Sequence, residues 1–141
     1  MAKQYCTFFV DDLFFGVEVE RVQEVIRYQD MTRVPLAPKV VRGLINLRGQ
    51  IVMAVDLRTR LGLPPSGEEP MNVVIHADGE VVSLLVDGIG DVLEVRDETH
   101  ERPPETLRPD ARKLIRGVYK LDGRLLLILN TEEALDLQAT A

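Results

Sequence analysis

Apolar positions along this chain come in short blocks, rich in β-branched and aromatic residues and separated by turn formers. Blocks at 4–10, 13–19, 71–77 and 80–86 read as strands, since such residues fit a pleated, half-buried surface. They pair around Asp11-Asp12 and Asp78-Gly79, and Asp-Gly between apolar runs is a strong hairpin signal. A second pair of hairpins follows: 44–47 with 50–55, turning at Arg48-Gly49, and 118–121 with 124–129, turning at Asp122-Gly123. After each, Asp56 or Asn130 sits where a helix N-cap belongs, with Leu57 and Leu61 or Ala134 and Leu137 as the apolar positions of a short helix. Gly62 is a suitable helix stop, and residues 64–70 (PPSGEEP) form a loop between the two series.

The two series are copies of one another. Residues 42–63 lie over residues 116–137 at a constant offset of 74, without gaps. Identical positions are Arg42/Arg116, Gly43/Gly117, Leu47/Leu121, Gly49/Gly123, Leu61/Leu135 and Leu63/Leu137. Upstream, residues 11–26 lie over 78–93 at an offset of 67. The difference is a seven-residue insertion in the second copy, expected within 94–115, where residues 100–105 (HERPPE) read as loop. A single period of this size means two copies of one small module, because a solenoid needs three or more. Five or so short strands per copy with tight turns describe a small barrel, and closing a sheet on itself removes its edges. The expected architecture is all-β: two pseudo-symmetric five-stranded barrels with a few short helices. They form one domain over 1–141, with repeat halves at 5–63 and 71–137; whether strands exchange between the barrels is left open. Their seam should bury apolar surface and leave a groove.

Length and charge narrow the class. A chain of 141 residues buries roughly two-thirds of its unfolded surface, enough for one core-bearing domain. Its apolar runs are only strand-sized, and the N-terminal stretch lacks the long apolar segment of a secretory signal. One cysteine cannot form an internal disulfide, so the expected compartment is a reducing cytoplasm. The net charge of −6 argues against general nucleic-acid binding. Charge is also segregated: residues 21–60 carry eight bases against three acids, and residues 61–105 carry two bases against eleven acids. Such a division either solubilises the chain or steers a charged protein partner, and the sequence leaves both open.

Catalytic chemistry finds no support. Neither His76 nor His100 has ligands at metal spacing, so no metal site and no cofactor are expected. Cys6 shares a strand face with Phe8 and Val10, as a small core hydrophobe would. Asp11-Asp12 is a turn pair, capping explains Asp56, and Gly88-x-Gly90 lacks the third glycine of a phosphate loop.

Positions where the copies disagree are candidates for function. Asp122-Gly123 suits a type I′ turn, whereas the first copy places Arg48 there, a poorer turn former with five donors to offer a partner. The plainer reading is a solvated arginine in a type II or bulged turn. Asn46, replaced by Lys120 in the second copy, can bond its own backbone. Glu24 aligns with Asp91 and is a possible mate for Arg48 that sequence alone cannot bring within reach.

With these residues assembled, the chain resembles the CheW family of chemotaxis coupling proteins. The resemblance is carried by the Gly43-to-Ile51 block GLINLRGQI, by Val55-Asp56-Leu57-Arg58 and by Leu61-Gly62-Leu63. Phe15-Gly16-Val17, Val22-Gln23-Glu24-Val25 with Tyr28, and Leu84-Leu85-Val86-Asp87-Gly88-Ile89 extend it, so that it runs from about residue 5 to 137. The family usually has proline where this chain has Met53, which bears on local strand geometry beside the groove. The resemblance implies two SH3-like barrels without catalytic activity. It also implies a cytoplasmic adaptor that couples the tip of a chemoreceptor to the regulatory domain of a CheA-type histidine kinase. The receptor's helical hairpin would lie in the groove between barrels. Carried over by position, the receptor-facing residues are Val22, Glu24, Gly43, Asn46, Arg48, Val73 and Val74; kinase-facing residues are not assigned. Two other readings stand beside it: a small-ligand sensor with an enclosed pocket, and the same adaptor role in a pilus or developmental pathway.

Overall fold

The computed structural model describes residues 2–77, 79–96, 100–105 and 107–136. Asp78, Leu137 and the side chain of His100, each singled out by the sequence, lie outside the described residues.

The strands are β1 (Ala2–Val10), β2 (Leu13–Glu18), β3 (Val22–Ile26), β4 (Val41–Leu47), β5 (Gln50–Asp56), β6 (Met71–Ala77), β7 (Glu80–Val86), β8 (Gly88–Arg96), β9 (His100–Glu101), β10 (Ile115–Leu121) and β11 (Arg124–Leu129). Among the described residues there are also a 3-10 turn (Val19–Arg21) and three short α-helices, α1 (Leu57–Arg60), α2 (Pro109–Lys113) and α3 (Thr131–Ala134). One sheet runs β8-β1-β2-β11-β10-β9 and the other β3-β6-β7-β5-β4. Setting aside the two-residue β9, the five-stranded orders superimpose when β1, β2, β3, β4 and β5 are exchanged for β6, β7, β8, β10 and β11. Each sheet therefore combines the leading hairpin of one copy with the remaining strands of the other.

The registers show how closely the copies agree. Met53 pairs with Val82 and Ala54 with Ser83 in the parallel β5–β7 ladder. Leu127 pairs with Phe15 and Ile128 with Gly16 in the parallel β11–β2 ladder. The offsets 74 and 67 convert one set into the other. Irregularities repeat too, between Val41 and Gly43 in β4 and between Ile115 and Gly117 in β10. The caps match: Asp56 accepts from the Arg58 N–H at 2.9 Å and Asn130 from the Glu133 N–H at 3.1 Å. Gly62, at φ +74, stops α1 as expected.

Two sequence expectations need adjustment. Residues 100–105 are not all loop, because His100 and Glu101 pair with Tyr119 and Val118. The first copy has a single-bridge equivalent, Thr32 with Leu44. The seven-residue insertion is thus split, two residues before this bridge and five after. Met53 causes no break: its pairing with Leu44 and Val82 continues both ladders, which a proline without an N–H would interrupt.

Three apolar clusters follow from this layering. The largest fills the seam and takes Phe8, Phe15 and Val17 from one sheet and Val55, Val73, Ile75 and Leu84 from the other. Each barrel also has its own interior, one built on Tyr5, Phe14, Tyr119 and Leu126, the other on Ile45, Leu47, Val52 and Val74. Equivalent interior positions are filled differently. In one barrel Tyr5 packs over Gly16, where a Cβ would lie 3.3 Å from the Tyr5 Cβ. In the other, fully buried Ser83 donates to Asn72 at 2.7 Å, and Asn72 donates to the Arg27 carbonyl at 3.1 Å.

Candidate functional site at the β4–β5 turn

The tip of the β4–β5 hairpin departs from the sequence expectation. Arg48 and Gly49 have φ of 51° and 90°, the double-positive pattern of a type I′ turn. Among the described non-glycine residues only Asp11, Leu36 and Arg48 have positive φ. The equivalent Asp122-Gly123 turn, expected to be type I′, uses the left-handed region only at Gly123. The strained conformation thus falls on the arginine rather than the aspartate. Asn46 supports the turn, its Oδ1 accepting from the Gly49 N–H at 2.8 Å.

The guanidinium of Arg48 reaches Glu24 on β3 and forms an ion pair with it. Gln23 Nε2 also donates to Glu24 at 3.3 Å. The Arg48 hydrogen bond, followed by that of Gln23, holds the Glu24 carboxyl below its ordinary pKa. The Arg48 side chain is 74% exposed and that of Glu24 is 19% exposed, leaving guanidinium donors facing solvent. In the second copy both equivalent positions, Asp91 and Asp122, are acids, so the pair belongs to the first copy alone.

The remaining sequence candidates are dispersed. Val22 is half-buried at the head of β3 and packs on the seam. Gly43 is buried, and a Cβ there would lie 2.6 Å from the Thr32 carbonyl oxygen. Val73 and Val74 are both buried, Val73 in the seam and Val74 inside its own barrel. Adjacent strand residues point to opposite faces, and both faces of β6 are covered from Asn72 to Ile75. Neither valine is therefore exposed on the surface of the chain. What the sequence missed is exposed apolar surface on β3 and β5. Val25, 39% exposed, follows Glu24, and Ile51, 61% exposed, pairs with Asn46. Strand periodicity gave no sign that these positions face solvent.

A second cluster of charge lies near the crossover between the barrels. Arg58 Nε donates to both Asp87 oxygens at 2.9 and 3.2 Å, and its NH1 donates to the Pro64 carbonyl at 2.7 Å. Its NH2 reaches Asp11 of the β1–β2 turn at 3.4 Å, and Asp87 chiefly raises the guanidinium's pKa. Arg42 pairs with Asp56 at 2.9 Å. Arg42, Asp56, Arg58 and Asp87 border a cleft of about 310 Å³, with Arg42 paired to Asp56 and Arg58 to Asp87. The arrangement fastens α1 to both barrels. His76 is exposed on β6, and burial raises the Cys6 thiol pKa, which disfavours a reactive thiolate.

Comparison with known proteins fits this geometry. The CheW-like domain family matches residues 4–139. The chain belongs to the CheW-like family. It is 33% identical over 132 residues to the probable chemotaxis protein CheW of Rhizobium etli, covering 92% of this chain and 85% of that protein. It is 32% identical over 136 residues to the chemotaxis protein CheW of Bacillus subtilis, covering 94% and 86%. The crystal structure of the scaffolding protein TtCheW from Thermoanaerobacter tengcongensis aligns with a TM-score of 0.82 at 26% identity, over 92% of this chain and 90% of that one. The paired, strand-exchanged barrels of this chain are thus a CheW-like domain.

Proposed function

We propose that this CheW-like chain is a non-catalytic cytoplasmic adaptor that couples the tip of a chemoreceptor to a CheA-type histidine kinase. The carrying observation is the Glu24–Arg48 pair. It is an exposed, charge-bearing turn held in a strained conformation. Strain retained at an exposed turn is characteristic of binding sites, and an exposed arginine with donors facing solvent suits protein recognition. In this reading Arg48, Glu24 and Asn46 face the receptor, with Val22 at the margin. Gly43, Val73 and Val74 act from beneath by fixing the backbone. The ligand-sensor alternative is disfavoured because the arginines lining the cleft, Arg58 and Arg42, are engaged in ion pairs with Asp87 and Asp56.

The test is reconstitution of a receptor–kinase–adaptor assembly from purified parts. The chain should bring kinase into sedimenting receptor arrays, and Arg48→Asp should reduce that recruitment while retaining a cooperative melt. Wild-type recruitment by Arg48→Asp, or no recruitment by the native chain, defeats this reading.

A further inference from the structure

We propose that Arg60 of α1 and Glu133 of α3 form a two-position latch across the seam, in which the Arg60 guanidinium passes between the Glu133 backbone carbonyl and the Glu133 carboxylate. The structure holds the first position. Arg60 NH2 donates to the Glu133 carbonyl oxygen at 2.7 Å, joining a helix of the first copy to one of the second. That oxygen also accepts from the Asp136 N–H at 3.2 Å, so it has a donor within its own copy. Arg60 is only 8% exposed, yet its Nε–H is buried without a hydrogen-bond partner among the described residues, and so is Oε2 of Glu133. Buried polar atoms are paired with few exceptions, and each exception calls for a cause. Here a donor and an acceptor of opposite charge are left over on two residues that already touch. The carboxylate is the stronger acceptor for a guanidinium, because both groups are then ionised. Carbonyl and carboxylate belong to one residue, so new rotamers of two side chains are enough to hand the guanidinium across. In the first position the arginine caps the end of α3 and leaves a carboxylate oxygen unpaired; in the second the charges meet and α3 loses that cap.

The repeat supplies an internal control. At the offset of 74, Arg60 lies over Ala134 and Glu133 over Thr59. Ala134 is fully buried in the seam cluster with Leu57 and Leu61, so a methyl group satisfies packing at this position. A buried arginine there brings in charge that packing does not require. Alanine has no side-chain donor, so the contact has no counterpart in the other direction. Arg21 NH1, 3.5 Å from Thr131 Oγ1, holds α3 from the same side, and its counterpart at the offset of 67 is Gly88. Both arginines that reach α3 therefore come from the first copy. Helix α1 directly follows β5, the strand that leaves the Arg48 turn. A change of latch position thus alters how the end of that strand is tied to the other barrel.

The test is NMR relaxation dispersion on the isotope-labelled full chain, read at the Arg60 Nε–H and at the amides of α1 and α3. Exchange on the microsecond-to-millisecond scale should appear at all of them in the native chain. Glu133→Gln keeps the size of the side chain and removes the charged acceptor, so the exchange should fall about fivefold or more. Glu132→Gln, at the exposed neighbour, should leave it unchanged. The hydrogen bond now held is to backbone, so without a second position the Glu133 side chain makes no difference to Arg60. A double-mutant cycle of Arg60→Gln with Glu133→Gln, read by urea unfolding, should therefore give non-additive shifts in midpoint. If Arg60→Gln does not fold, Arg60→Lys, which keeps the charge and lacks Nε, takes its place in the cycle. Exchange that is absent at Arg60 Nε, confined to one helix or unaltered by Glu133→Gln overturns the proposal. Additive midpoints overturn it as well.

Discussion

The guanidinium of Arg48 and the carboxylate of Glu24 pair across 24 residues of sequence, joining the tip of one hairpin to the edge strand β3. The pair draws Arg48 toward β3 while its backbone occupies a region that favours glycine or asparagine. It links local strain and surface charge in one small area.

Acid titration should expose this link. Glu24 has a lowered pKa because Arg48 bonds its charged form. Its stabilising contribution is present above the unfolded carboxylate value of about 4.3 and is lost as pH falls through the depressed folded value. Arg48→Gln should therefore melt below the native chain at pH 7, with the gap narrowing as the buffer is taken down to about pH 3. A gap that is constant with pH counts against the pair.

Gly43→Ala should destabilise the fold by about 1–3 kcal/mol, since the new methyl group would overpack against backbone. The obstruction is the Thr32 carbonyl oxygen, 2.6 Å from the added Cβ and itself accepting from the Leu44 N–H at 2.8 Å. Chemical denaturation measures the loss, and faster hydrogen exchange at the Leu44 amide would localise it.

Ser83→Ala should cost about 1–3 kcal/mol, because it leaves a buried acceptor without its donor. The orphaned atom is Asn72 Oδ1, in a side chain with no solvent exposure. Urea unfolding should show a lower midpoint at unchanged slope.

Tyr5→Phe should flatten the alkaline limb of stability. Burial, then a hydrogen bond with Tyr119, raises the Tyr5 pKa. A raised folded value means stability is full below the unfolded pKa of about 10 and falls as pH rises through the folded one. The phenylalanine variant has no phenol to ionise, so its melting temperature should decline less above pH 10 than that of the native chain.

The parts of this fold readable in the sequence are those set by local chemistry. The places of the Arg48-Gly49 and Asp122-Gly123 turns, though not their types, the Asp56 and Asn130 caps and the Gly62 stop each depend on a few neighbouring residues. Strands β3 and β8 were less legible because their outer faces mix apolar and charged residues; Gln23-Glu24-Val25 and Asp91-Val92 show neither clean alternation nor a buried run. The exchange of hairpins was invisible because either pairing partner carries the same apolar pattern. The site was half legible. Asn46 and Arg48 stood out as differences between copies, but the approach of Glu24 is tertiary. Arg60 and Glu133 gave no signal, because their contact crosses the seam between the copies.

The exchanged hairpins also change what one repeat amounts to. In neither sheet does a leading hairpin pair with the β4–β5 or β10–β11 hairpin of its own copy. A single copy released into solution would hold two half-sheets with no mates, and would complete them only by trading hairpins with another molecule. Joining both copies covalently makes that trade independent of concentration, because each hairpin's mate is always tethered nearby. The chain behaves as an intertwined dimer that cannot dissociate, and cutting it at residues 64–70 should release two fragments that remain clasped.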